Sequence, residues 1–318
     1  MVPNKWATLG YLVQRTKDEW SSACPRCGDA GHIWTSQDDV PDRFRMFLDG
    51  AARGWCRGCN HFEFAEKGTI SPAQVSKYKD EARQRAVAER LRVKEKIEIL
   101  ELHAEWRGFH AAMKDKDREH WREAGINDAA QDWWELGYNP EYTYKHGDAL
   151  YISPALTIPY FKEGHVVNVQ SRLLEAEPTA GKYRFSPGLP VALYYPDKDN
   201  LPFGTCLIVE GGKKAMIAYL HLAGSAKVAD SIVGLPSKYL SDSHIPAFKN
   251  CDQFILALDP DAHTDGTIER NAEKLGFSRT KIATLPTKID DFIVKYGATG
   301  DNVARFIKDA RHARYKTG

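Results

Sequence analysis

From residue 205 to residue 297 the chain repeats one pattern, and that pattern restricts the fold more than any other feature of the sequence. "TCLIVEGGKKAMIAYLHLAG" reads as strand, turn, helix and glycine terminator, and "KVADSIVGLPSKYLS" as a second strand with a glycine loop. "DQFILALDPDAHTDGTIERNAEKLG" is strand, acidic turn, helix, and "RTKIATLPTKIDDFIVKYG" is strand, loop, helix. Strands alternating with helices predict a mainly parallel sheet covered by helices on its faces, the α/β class. In such sheets ligands collect at the carboxyl ends of the strands. Glu210, Asp259, Asp261 and Asp290 or Asp291 fall at or just beyond those ends.

Each acid also has a structural reading. Glu210 can cap a helix, Asp259 and Asp261 can sit at a helix start where the dipole favours them, and Asp291 precedes "FIVKYG" as an N-cap. Taken together they point elsewhere, because carboxylates converging on one sheet edge repel one another unless cations lie between them. Oxygen donors of this kind suit Mg²⁺ or Mn²⁺, which bridge to phosphates. A phosphate loop in "EGGKKA" is excluded, since no Gly-x-x-x-x-Gly-Lys-Ser/Thr spacing occurs in the chain. Lys213 is then expected to be solvated.

Four of the six cysteines form two knuckles, "CPRCG" at Cys24 and Cys27 and "CRGCN" at Cys56 and Cys59, with 28 residues between them. That arrangement matches a zinc ribbon over residues 1–70, with one structural Zn²⁺. "RFRMFLDGAARGWC" predicts a β-hairpin turning at Asp49-Gly50, and "HFEF" a further short strand. A module this small has little core, so the metal supplies much of its folding free energy. Arg26, His32, Trp34, Arg57 and His61 interleave cations with aromatics, a mix suited to phosphates and unstacked bases. A purely structural ribbon explains the cysteines equally well. Cys206 and Cys251 stand alone in apolar runs and read as buried small hydrophobes.

Residues 71–107 read as a charged helical linker, capped by Ser71 with Pro72 at its first position, and carrying an apolar stripe of Ile99, Leu102, Trp106 and Phe109. Residues 108–203 form an α+β segment. In "DREHWREAGINDAAQDWWELGY" one helix ends near Gly125 and a second starts at an Asn127 or Asp128 cap and stops at Gly137. Trp121, Ile126, Trp133, Trp134 and Leu136 are assigned to the core. "LTIPYFKEGHVVNVQSRLLE" is a hairpin turning at "KEGH", and "GKYRFSPGLPVALYYP" adds short strands broken by prolines. Lys162, Arg172, Lys182 and Arg184 are the basic residues of this segment, either scattered surface cations or phosphate ligands for the acids that follow.

The formal net charge of +1 confines any nucleic-acid surface to a local patch. No window is apolar enough to span a membrane and the N-terminus lacks a signal-peptide core, so a cytoplasmic protein is expected.

The four-cysteine ribbon, the helical joint, "HWREAGINDAAQDWWELGY", the basic β segment and "VEGGKKA…LDPDA…IDDF", in that order, resemble the DnaG-type primases, especially small phage or mobile-element members. The resemblance implies a Toprim domain over residues 204–318, within an α+β RNA-polymerase domain and preceded by the β zinc ribbon. It implies RNA primer synthesis on single-stranded DNA from ribonucleoside triphosphates, with two or more Mg²⁺ or Mn²⁺ ions. Glu210, Asp259 and Asp261 match the family's catalytic metal-binding acids, and Asp290 and Asp291 its further acids. Arg172 and Lys182 match basic positions for template and nucleotide. A replicative helicase would be a separate protein. Two departures bear on metal count and triphosphate binding: Lys214 stands where the family usually has an aspartate, and a later lysine is lost from the shortened "SPGLPVALYYP". A Toprim nuclease and a non-catalytic RecR-like binding module are the rival readings.

Overall fold

The computed structural model describes residues 4–7, 9, 12–26, 32–34, 39–41, 44–48, 52–56, 61–64, 72–222 and 228–313. The chain divides into two compact units, Met1–Arg85 and Ala86–Gly318. The division falls inside the long helix between the expected ribbon and the expected α+β segment.

The first unit starts with the short helix α1 (Asn4–Ala7) and continues with strands β1 (Val13–Gln14), β2 (Glu19–Ser22), β3 (His32–Trp34), β4 (Asp39–Pro41), β5 (Phe44–Phe47), β6 (Arg53–Cys56) and β7 (Phe62–Phe64). Strands β1-β2-β5-β6-β7 form one antiparallel sheet, and β3 and β4 pair separately. The expected hairpin is the β5–β6 pair, with Phe44 opposite Cys56; its tip at Asp49 and Gly50 lies outside the described residues. The core is small: Trp6, Cys24, Phe44, Met46 and Cys56.

Helix α2 (Pro72–His103) is largely solvated, as its mixed charges imply. Ser71, the expected cap, lies outside the described residues. The expected apolar stripe is corrected. Ile99 and Leu102 are exposed, while Leu100 packs with Trp106, Phe161 and Val166. The stripe assumed one continuous helix, but Ala104 takes a left-handed conformation (φ 46°) and re-aims α3 (Glu105–Ala111).

Next come α4 (Asp115–Glu123) and α5 (Asp128–Trp133), the latter capped by Asn127, whose Oδ1 accepts from Ala130 N at 2.9 Å. Gly137 does not terminate α5. The chain leaves the helix at Glu135 (φ 51°), and Gly137 opens a strand in which a Cβ would lie 2.5 Å from Thr157 Oγ1. Trp133 is also corrected, from core to surface. Of two adjacent tryptophans only Trp134 can face inward, where Nε1 donates to Pro196 O at 2.8 Å, while Trp133 lies exposed under the Lys198 ammonium.

A second antiparallel sheet follows: β8 (Gly137–His146), β9 (Ala149–Lys162), β10 (His165–Leu173) and β11 (Tyr183–Phe185), in the order β11-β10-β9-β8. The β9–β10 hairpin turns at Glu163-Gly164. Beyond β11, "SPGLPVALYYP" contributes only a bridge from Tyr194 to Gly234 rather than further strands, because its prolines remove ladder donors.

The third sheet is built from β12 (Phe203–Glu210), β13 (Ser231–Leu235), β14 (Asn250–Leu256), β15 (Thr280–Ile282) and β16 (Arg311–His312), in the order β13-β12-β14-β15-β16. All pairings are parallel except β15 with β16. Between and after these strands lie α6 (Gly212–Leu222), α7 (Thr267–Leu275), α8 (Ile289–Val294) and α9 (Gly300–Lys308). One core cluster takes Leu207 and Val209 with α6, α8, α9, Trp134 and Tyr160; another takes Cys206 and Ile208 with Phe248, Cys251, Phe254 and α7. β12 is thus buried on both sides, which explains its unbroken apolar run. Cys206 and Cys251 are both buried, as expected. Among the described residues no helix is long and apolar enough to cross a membrane.

Candidate metal centre

β12 lies between β13 and β14, both parallel to it, so the residues that follow β13 and β14 flank the one that ends β12. Glu210 ends β12, and Gly211 (φ 84°) turns the chain into α6. The turn needs close backbone approach: a Cβ on Gly234 of β13 would lie 2.7 Å from Gly211 O. Asp259 follows β14, and Asp261 lies in a 3-10 turn, Pro260–His263. One ligand oxygen from each of Glu210, Asp259 and Asp261 comes within 4.8 Å of the other two.

The site is strongly charged and partly dry. Asp259 is buried, Glu210 is half-buried and Asp261 is exposed. Glu210 Oε2 is buried without a hydrogen-bond partner. Burial pushes the Glu210 carboxyl up, the Lys214 ammonium opposes this, and Asp259 and Asp261 reinforce it. Three lysines meet the acids. Lys214 Nζ lies 2.6 Å and Lys288 Nζ 3.3 Å from the same oxygen, Asp259 Oδ2. Lys238 Nζ lies 3.1 Å from Asp261 and 2.5 Å from Asp265. Asp259 raises the affinity of Lys288 for its proton, and Asp265 followed by Asp261 does the same for Lys238. The Lys238 loop is held by buried Asn271, whose Nδ2 donates to Lys238 O at 2.8 Å and whose Oδ1 accepts from Leu240 N at 3.0 Å.

The remaining acids are placed differently. Asp290 is buried in the first turn of α8, with Lys213 Nζ 2.6 Å from Oδ2 and Oδ1 unpartnered. Burial opposes its charge, but the Lys213 ammonium, aided by that of Lys214, holds the carboxyl below its usual value. Lys213 is therefore an ion-pair partner rather than a solvated residue. Asp291 faces Lys295 at 3.0 Å and is not the α8 cap, a position taken by Lys288. Neither Asp290 nor Asp291 joins the group formed by the other three.

The basic residues of the second sheet do not converge. Arg172 is opposite Tyr183 and Ser171 opposite Arg184, so Arg172 and Arg184 project from opposite faces. Arg184 lies over the Tyr144 ring. Lys182 is exposed next to β11. Lys162, at the hairpin turn, is seven residues and about 23 Å along the strands from Arg172.

In the first unit Cys24 and Cys56 are buried, and the amide of Arg26 donates to Cys24 Sγ at 3.4 Å. Buried sulfur receiving a backbone donor fits a thiolate ligand of Zn²⁺. Cys27, Cys59 and Arg57 lie outside the described residues. Arg26 is exposed. His32 and Trp34 belong to β3. His61 stacks on Phe44 and lies 3.3 Å from Glu63.

For the acids the donor set also fits a hard cation. A buried carboxylate oxygen without a partner, beside two further carboxylates, is chemistry that a divalent ion satisfies. Sequence reasoning missed Lys238, Lys288, Asp265 and Asn271. Lys238 follows β13 by three residues, so the strand-end logic that found the acids also reaches it.

No protein-family model and no curated protein matches this chain. Solved structures do. The zinc-binding and RNA-polymerase domains of Aquifex aeolicus primase superpose with a TM-score of 0.51 at 16% identity, over 94% of this chain and 80% of that one. A DnaG catalytic core gives 0.53 at 15% identity, covering 70% of this chain and 81% of that one. A DnaG primase catalytic domain bound to single-stranded DNA gives 0.52 at 13% identity, covering 71% and 84%. The chain has the mixed α/β fold of these primase domains.

Proposed function

We propose that this protein is a DNA-dependent RNA primase, whose third sheet is a Toprim domain and whose first unit is a zinc ribbon that reads single-stranded template. The observation that carries this reading is the carboxylate group of Glu210, Asp259 and Asp261 at the carboxyl ends of adjacent parallel strands. The fold shared with DnaG catalytic domains supports it.

In the reaction, the 3′-oxygen of one nucleotide forms a bond to the α-phosphorus of the next. The bond from that phosphorus to the pyrophosphate oxygen breaks, and the hydroxyl proton passes to solvent or a nearby carboxylate. Glu210, Asp259 and Asp261 would hold Mg²⁺ or Mn²⁺, which when bound lowers the hydroxyl pKa and offsets charge developing on the phosphate. Glu210, half-buried beside Asp259, is the alternative proton acceptor where it does not hold the ion. The more exposed lysines, Lys238 and Lys288, are placed to meet triphosphate oxygens. Lys162, Arg172, Lys182 and Arg184 remain proposed template and nucleotide contacts. Asp290 and Asp291 remain proposed as supporting acids rather than direct members of the carboxylate group. Cys24, Cys27, Cys56 and Cys59 would hold one Zn²⁺, with Arg26, His32, Trp34, Arg57 and His61 beside the template. A replicative helicase would act as a separate partner.

The test is incubation with single-stranded DNA, labelled ribonucleotides and Mg²⁺ or Mn²⁺. Short RNA products support the reading; shortened DNA, or DNA retention with neither product, overturns it in favour of a nuclease or a binding module.

A further inference from the structure

The acid group raises a question of charge. Carboxylates this close need cations between them, and the chain supplies lysines. The three differ in how firmly they are held. Lys288 has half its side chain exposed (51%) and Lys238 a quarter (25%), so either can swing into solvent when another cation arrives. Lys214 is 13% exposed, and its partner Asp259 5%. Its backbone is also fixed. Lys214 lies in the first turn of α6, between Gly212, where a Cβ would lie 3.1 Å from the Tyr160 hydroxyl and the Tyr194 ring, and Ala215, which is fully buried. The helix that carries Lys214 therefore cannot shift without opening the core. Gly211 turns the chain so that Glu210, at the end of β12, and Lys214, in the first turn of α6, both approach Asp259.

We propose that Lys214 is a permanent cation of this centre, so that the site takes a single divalent ion rather than two. This rests on the reading of the acids as a catalytic metal site. Lys214 Nζ and Lys288 Nζ share Asp259 Oδ2, so two ammonium groups already occupy one oxygen of a carboxylate that the divalent ion would share with Glu210 and Asp261. A fixed ammonium at 2.6 Å from Asp259 supplies one of the two positive charges that a second divalent ion would bring, and repels that ion. Lys214 is thus a positioning residue. It fixes Asp259 and sets the ion count, and the exposed lysines remain free to meet phosphates.

The experiment counts ions and uses no substrate. Zinc-loaded full-length protein is titrated with Mn²⁺, and free Mn²⁺ is read by its paramagnetic resonance signal. The expected result is one ion per wild-type chain, none with Asp261→Asn at matched Mn²⁺, and two with Lys214→Asp. Lys214→Met should keep one ion but bind it roughly tenfold more tightly, because one like charge has been removed. This second variant decides the matter if Lys214→Asp fails to fold by thermal melting. Two ions on the wild-type chain, a count unchanged in folded Lys214→Asp, or an Mn²⁺ affinity unchanged in Lys214→Met overturns the inference. If no primer is made yet these counts hold, the primase reading falls while the single-ion centre stands.

Discussion

The two units of this chain are stabilised by different means. The first closes over Trp6, Cys24, Phe44, Met46 and Cys56, of which two are metal-ligating types. The second buries both faces of β12 against helices and a second sheet, and adds internal polar bonds such as that from Trp134 to Pro196 O. The first unit thus has little apolar area to close over, while in the second unit Cys206 and Cys251 are part of an extended packed core.

The sharpest way to break the comparison is to remove the zinc proposed for the first unit. Structural zinc contributes on the order of 10–16 kcal/mol in zinc-finger peptides, more than so small a core can replace. A strong chelator, or Cys56→Ser, should unfold the first unit completely and leave the second unit's amide-exchange protection intact. Loss of protection in both units together would contradict the division. The next largest effect belongs to the second unit. Trp134→Ala should lower its stability by about 3–5 kcal/mol in denaturant melts, and leave zinc binding unchanged. Gly234→Ala pushes a Cβ against Gly211 O and should cost about 1–3 kcal/mol. It should also weaken Mn²⁺ binding, since that turn carries Glu210; unaltered Mn²⁺ affinity would show that the turn does not position the acid. The smallest effect should be Trp133→Ala, below about 1 kcal/mol because the ring is exposed and its cation contact is at the surface.

Much of this was legible in the residues, for stated reasons. The apolar run of β12 and the β9–β10 hairpin follow from local periodicity and turn chemistry, which need no knowledge of partners. Glu210, Asp259 and Asp261 were legible as a group because strand ends on one sheet share an edge. The lysines were not, because their place depends on strand order. β12 lies between β13 and β14, although it precedes both in the chain, and only that crossover brings Lys238 to Asp261. Strand β8 escaped notice for a local reason. "GYNPEYTYKH" is polar and holds Pro140 at an irregularity between Asn139 and Tyr142, a feature that argues against a strand. The error at Ile99 and Leu102 came from one residue, Ala104, whose left-handed backbone no propensity anticipates.

The proposed role of the strand-end acids in nucleotidyl transfer is decided by comparing wild-type protein with Asp259→Ala on single-stranded DNA with labelled ribonucleotides and Mn²⁺, while template retention is measured on the same samples. Short RNA is expected from the wild type, none from Asp259→Ala, and equal retention of template by both. Near-normal RNA synthesis by Asp259→Ala would contradict it.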